Sequence, residues 1–124
     1  MAVLRASGED YLEAILMIHN RMGEVRSVDV ARELGVTKPS VCRAVGRLKD
    51  GGYIIVDENG IITLTESGKI IAESVYERHT VISDWLMRLG VNRHTACEDA
   101  CRIEHDISEE SFKMLKDHIE KYPV

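Results

Sequence analysis

Apolar positions recur at helical spacing along most of this chain and give way to β-branched runs only once. Tyr11, Ala14, Ile15, Ile18 and Met22 fall on one stripe and predict a helix over 8–22. Ser7 is placed to cap it, Glu9 and Asp10 sit in its first turn, and Gly23 closes it. A short helix follows over 28–34, with Ser27 as cap and Gly35 as stop. Thr37 caps a third helix, with Pro39 in the first turn, where proline is tolerated. Val41, Val45 and Leu48 form its inward stripe, and Gly51-Gly52 end it. The runs at 53–56 and 61–65 are β-branched and flank Asp57-Glu58-Asn59-Gly60, whose Asn-Gly pair predicts a hairpin. Thr65 caps the longest helix, 66–89, along which Ile71, Val75, Ile82, Trp85, Leu86 and Leu89 make a near-heptad stripe before Gly90. Asn92 opens the next helix. Ser108 caps the last, 109–121, with Phe112, Leu115 and Ile119 inward and Pro123 beyond its end.

Two short helices joined by a tight turn form a helix-turn-helix. The second presents Arg43 and Arg47 one helical turn apart, the right type for guanine edges or phosphates. Ser27, Thr37, Lys38, Pro39 and Ser40 accompany them as DNA-binding candidates. The hairpin behind is a wing. Its tip carries Asp57 and Glu58, a poor clamp for phosphate, so the recognition helix should dominate DNA contact. The predicted fold is mainly α with a small β-hairpin wing. Residues 1–70 are expected to form a winged helix-turn-helix DNA-binding domain, and 71–124 a helical dimerisation domain, to which the donor residues described below add metal binding. A helix of about 24 residues is roughly 36 Å long, more than a winged domain needs, and a second copy of the chain is the simplest partner for its distal half.

Composition adjusts this picture modestly. Apolar content of 44% and charged content of 30% are those of a soluble globular protein. No run is long and apolar enough for a transmembrane helix, and the first residues are too few, and too soon acidic, for a secretory signal. Three cysteines, an odd number, point to a reducing cytoplasm. A net charge of −5 argues against nucleic acid only until its distribution is considered. Between 32 and 49, Arg32, Lys38, Arg43, Arg47 and Lys49 face only Glu33, a local balance of +4.

The chemistry concentrates in 97–105. At roughly 100° per residue, Cys97, Cys101, Glu104 and His105 share one helix face, while Ala96, Ala100, Ile103 and Ile107 make a core stripe on the other. Thiolate, carboxylate and imidazole together suit Fe(II), Mn(II), Co(II) or Zn(II) without choosing among them. The cysteines could equally pack as small apolar residues, and their spacing is not that of a structural zinc site. His79 lies midway along the long helix, and Asp10 and Glu13 lie three apart on the first. Taken alone, these three read as well as a core histidine, a helix-dipole charge and a solvated charge.

Glu9-Asp10-Tyr11-Leu12-Glu13, the helix-turn-helix with Thr37-Lys38-Pro39-Ser40-Val41, Leu64-Thr65-Glu66-Ser67-Gly68-Lys69, Arg78-His79 and Cys101-Arg102-Ile103-Glu104-His105 occur in order. Together they resemble the diphtheria-toxin-repressor family of metal-dependent transcriptional regulators, including its manganese-transport-regulator branch. The chain stops before any SH3-like domain, as short members of that branch do. The resemblance implies a homodimer on a palindromic operator in double-stranded DNA. It implies that Asp10 joins Cys101, Glu104 and His105 as metal ligands, and that His79 and Glu13 belong to the site or to a close second position. Cys97 falls where iron-type members carry an ancillary histidine, which makes it a candidate replacement ligand. Aspartate at 10 follows the manganese type and cysteine at 101 the iron type, a hybrid of hard and soft donors.

The expected function is a cytoplasmic Mn(II)- or Fe(II)-dependent repressor of metal-uptake genes, with Co(II) and Zn(II) acceptable in vitro. Without metal, like-charged carboxylates would repel one another. With it, two recognition helices would be held about one DNA turn, roughly 34 Å, apart. One alternative is a metal-independent winged-helix regulator answering to an organic effector or a protein partner. One Phe, one Trp and four Tyr are few aromatics to line such a pocket. The other is a small metalloenzyme, but no Gly-rich loop or nucleophile arrangement supports catalysis, so the chain is not expected to be an enzyme.

Overall fold

Capping side chains set most of the element boundaries. In a computed structural model describing residues 6–122, the order is α1 (Ala6–Met22), α2 (Ser27–Leu34), α3 (Lys38–Asp50), β1 (Ile54–Val56), β2 (Ile62–Leu64), α4 (Glu66–Arg88), α5 (Arg93–Asp106) and α6 (Glu109–Lys121). The amino-terminal stretch 1–5 and Pro123 lie outside the described residues. Thr37, Asn92 and Ser108 cap as expected, accepting from the backbone N–H of Ser40, His94 and Ser111 at 3.3, 2.8 and 3.0 Å. Two expected caps fail. Ser7 lies inside α1, which begins a residue earlier. Ser27 is the first residue of α2, and Arg26 takes the cap position, its N–H donating to Asp29 Oδ2 at 3.0 Å. The carboxylate three residues on supplies what a serine side chain was expected to provide.

The chain divides into two compact units, 1–73 and 74–124, with the boundary inside α4. In the first unit, Leu12, Ile15 and Ile18 of α1 pack with Val30 of α2, Val41 of α3, Ile54 of β1 and Ile62 of β2, all at most 3% exposed. The core is therefore drawn from every element of a winged helix. Val45, expected inside, is half-buried, and Ala44 takes the inward place beside Val41 and Leu48. The strands pair antiparallel with Val56 opposite Ile62, which leaves a loop at 57–61, one residue longer than the four expected. Asp57 sets that loop by accepting from the N–H of Asn59 and Ile61 at 2.8 and 2.9 Å, and Gly60 supplies the left-handed residue at φ +80°. The wing is tied down at both ends. Ile62 N–H donates to Val25 O at 2.8 Å, and Arg26 Nη1 donates to Asn59 O at 2.6 Å.

Thr65 caps α4 through the N–H of Gly68 at 3.3 Å and donates its hydroxyl to Gly52 O at 2.7 Å. Gly68 has a steric reason. A Cβ there would run into the Tyr53 carbonyl, so the start of α4 can lie against the backbone entering β1 only with glycine.

The second unit is a three-helix cluster around Ile82 of α4, Ala100 of α5 and Phe112 of α6, with Val81, Leu86, Ile107 and Leu115 packed on it. The stripe expected on α5 is rotated. Ala96 and Ala100 are fully buried, but Ile103 is 38% exposed, and the third buried position is Glu104 at 1%. Leu89, expected on the α4 stripe, lies just past the helix end and is 57% exposed.

Candidate metal centre and nucleic-acid interface

The buried end of α5 carries an ionisable group where a hydrophobe would fit. The Glu104 side chain has no solvent exposure, and the His105 side chain has 8%. Donor atoms of Cys101, Glu104 and His105 lie within 4.8 Å of one another. That convergence follows from positions 101, 104 and 105 sharing one helix face. On α4, His79 meets the same carboxylate, with Nδ1 at 2.9 Å from Glu104 Oε2. In the neutral ring tautomer that donates from Nδ1, Nε2 keeps its lone pair, the usual state of a metal-binding imidazole whose other nitrogen is held by a carboxylate.

The second carboxylate oxygen, Oε1, is buried, lies 3.5 Å from His105 Nε2, and has no hydrogen-bond partner. A buried carboxylate oxygen left unanswered is costly. A divalent cation held by that oxygen, the thiol of Cys101 and the His105 ring would answer it, so the donor set fits a metal. Cys97 is half-buried one turn earlier on α5, and it lies outside the cluster of donor atoms among the described residues.

In the first unit, Asp10 and Glu13 are half-buried on α1, three residues apart and so neighbours on one helix surface. The α3 face is laid out as the spacing predicts. Lys38, Pro39, Arg43 and Arg47 are exposed, as is Thr37 at the cap, and Ser40 is half-buried. Ser27 is half-buried at the start of α2. Thr37 donates its hydroxyl to Ser40 Oγ at 2.9 Å, which fixes both near the start of the recognition helix. Ser40, Arg43 and Arg47 line one wall of a concavity of about 510 Å³, with Ser7, Gly8 and Tyr11 of α1 among its other lining residues. Two guanidiniums over a concave face suit a phosphate backbone.

Residues 3–60 match the family described as "Iron dependent repressor, N-terminal DNA binding domain", and residues 65–123 match "Iron dependent repressor, metal binding and dimerisation domain". The chain belongs to the iron-dependent repressor family. This is the diphtheria-toxin-repressor family that the motifs resemble, and its members are metal-dependent transcriptional repressors, not enzymes. The transcriptional regulator MntR of Escherichia coli (O6:H1) is 35% identical over 115 residues, covering 92% of this chain and 74% of MntR. The HTH-type transcriptional regulator MJ0568 of Methanocaldococcus jannaschii is 34% identical over 116 residues, covering 92% of this chain and 93% of that one. The solved structure of the manganese regulator SloR matches 94% of this chain with a TM-score of 0.82 at 27% identity. The chain spans about half of SloR, 55% of its length. No helix among the described residues is long and apolar enough to cross a membrane.

Three residues of this family member hold the fold around the candidate faces in ways the sequence pattern does not predict. Arg26 ties the wing, Asp57 shapes its loop, and Arg78 donates to two carbonyls at the end of α5. Asp57 carried a signal, an aspartate two residues before Asn59, read only as wing-tip charge. For the arginines, Arg78 included although it stands in the Arg78-His79 motif, no such contact could be read, because their partners are backbone carbonyls about thirty residues away and have no sequence signature.

Proposed function

We propose that this protein is a metal-activated repressor of metal-uptake genes, using Mn(II) or Fe(II) as co-repressor, and that it acts in the cytoplasm as a homodimer on a palindromic operator. The observation that carries the reading is the buried Glu104 carboxylate, with one oxygen unanswered, among Cys101 and His105. Cys101, Glu104, His105 and His79 would hold the metal, and Asp10 and Glu13 of α1 would complete the ligand set. Cys97 stands in reserve one turn from Cys101. The bound metal would supply positive charge that lets several carboxylates and a thiolate share one region.

Each ligand group has its own task. Glu104 presents a desolvated carboxylate whose Oε2 is held by His79 while Oε1 is left for the metal. Cys101 adds a soft donor that favours Fe(II), Co(II) and Zn(II). The carboxylates at 10, 13 and 104 favour Mn(II). Asp10 and Glu13 belong to the same α1 whose Leu12, Ile15 and Ile18 are built into the core of the winged unit. Any restraint on those two carboxylates is therefore a restraint on the helix-turn-helix. Two restrained reading heads lose less freedom on binding DNA, which is how metal would raise operator affinity. Lys38, Arg43 and Arg47, with Ser27, Thr37, Pro39 and Ser40, would form the DNA-contacting face.

The test uses duplex DNA selected from a random pool in the presence of Mn(II). Binding is then titrated anaerobically with chelator and with Mn(II), Fe(II), Co(II) or Zn(II). We expect affinity to rise at least 10-fold with the cognate metal. Equal binding with chelator and with every metal would overturn the proposal.

A further inference from the structure

Two consecutive residues of α4 grip one residue of α5 from different sides. His79 meets the Glu104 carboxylate, and Arg78 Nη1 donates to the Glu104 carbonyl at 3.2 Å. The same nitrogen donates to the Ile107 carbonyl at 2.7 Å, and the guanidinium lies 5.5 Å from the centre of the Phe112 ring. One side chain therefore joins α4, the last turn of α5 and α6. The Glu104 carbonyl lies in that last turn, where helix carbonyls run out of intrahelical donors and a cation is favoured. Ile107 is the C-cap itself.

We propose that Arg78 is a positioning residue for the metal centre: by holding the end of α5 against α4 it fixes where the Glu104 carboxylate and the adjacent His105 ring sit. The inference rests on the metal reading above and assigns this residue a role beyond the ligand set. The chemistry asks for arginine. Two carbonyls are bonded from one nitrogen while the flat cation covers an aromatic face, and lysine, a compact ammonium without a plane, reproduces only part of this. Arg78 is also close to His79 by necessity, so whatever shifts the α4–α5 register moves both grips on Glu104 together.

Arg78→Met, Arg78→Lys and Lys116→Met are compared with wild type. Lys116→Met removes the surface pair with Glu77 (3.3 Å), which also links α4 to α6 but does not touch Glu104. Three quantities are read: Co(II) and Mn(II) affinity by titration, the thiolate-to-Co(II) and ligand-field absorption bands, and thermal unfolding of the metal-free protein. We expect Arg78→Met to weaken both metals about 10- to 100-fold, the usual cost of losing a residue that orients a ligand, and to shift the Co(II) bands. Arg78→Lys should recover part of the affinity, and Lys116→Met should bind as wild type. If Arg78→Met does not fold, Arg78→Lys carries the same readings. Folded Arg78 variants with wild-type affinity and bands, or a loss equal to that of Lys116→Met, would overturn the proposal. Wild-type protein that binds neither metal would instead overturn the metal reading itself.

Discussion

Glu104 is the residue at which folding and the proposed function conflict. It completes a buried stripe with Ala96 and Ala100, a position that stability alone would give to a hydrophobe, since a desolvated carboxylate with an unanswered oxygen is costly. Glu104→Gln keeps the shape and removes the charge. We expect the metal-free variant to unfold at the same temperature as wild type or higher. Metal affinity should fall by at least the roughly 10- to 100-fold typical of losing a supporting residue. Calorimetry without and with Mn(II) reads both, and a variant less stable without metal yet unchanged in affinity would make Glu104 purely structural. Cys101 poses the complementary question. It is exposed where Glu104 is buried, so the soft donor of the proposed set is also the accessible one.

At the scale of elements, the start of α4 is constrained more tightly than its pattern suggests. Thr65 and Ser67 both donate to the Gly52 carbonyl, at 2.7 and 3.2 Å, and Gly68 admits the Tyr53 backbone. Gly68→Ala would normally favour a helix by about 1 kcal/mol. Here overpacking against an immovable carbonyl should outweigh that and cost about 1–3 kcal/mol. Thermal unfolding checks the sign, and a stabilised variant would refute the close approach. The α5 stripe shows what periodicity can and cannot deliver. Ala96 and Ala100 were legible as core, whereas the choice of Glu104 over Ile103 as the next buried position was not. The two differ by one residue, and on pattern alone the apolar one is preferred; His79 and Arg78, arriving from α4, decided it.

At the scale of the whole molecule, the residues proposed to read DNA and those proposed to hold metal are different, so mutation should separate the two. Arg43 is exposed on α3 and belongs to none of the metal-ligand clusters. Arg43→Ala should weaken binding to the selected operator by about 1–3 kcal/mol and leave Mn(II) affinity within a few-fold of wild type. Parallel DNA and metal titrations test this. Loss of metal affinity in that variant would show that the two functions share a surface. The local charge of +4 on 32–49 against −5 overall also predicts that DNA affinity falls steeply with salt.

Much of this protein was determined locally. Helix positions, the caps at Thr37, Asn92 and Ser108, the hairpin and the donor face at 101, 104 and 105 depend on side chains a few residues apart, and 3.6-residue periodicity makes such relations readable. The motif order likewise suffices to identify a metal-dependent repressor family. Tertiary structure decided what depends on residues distant in the chain. It buried Glu104 in place of Ile103, set His79 against that carboxylate across 25 positions, and drew Arg78 onto the end of α5. A carboxylate oxygen becomes an unanswered buried acceptor only when other helices exclude water from it, and sequence spacing carries no record of that exclusion.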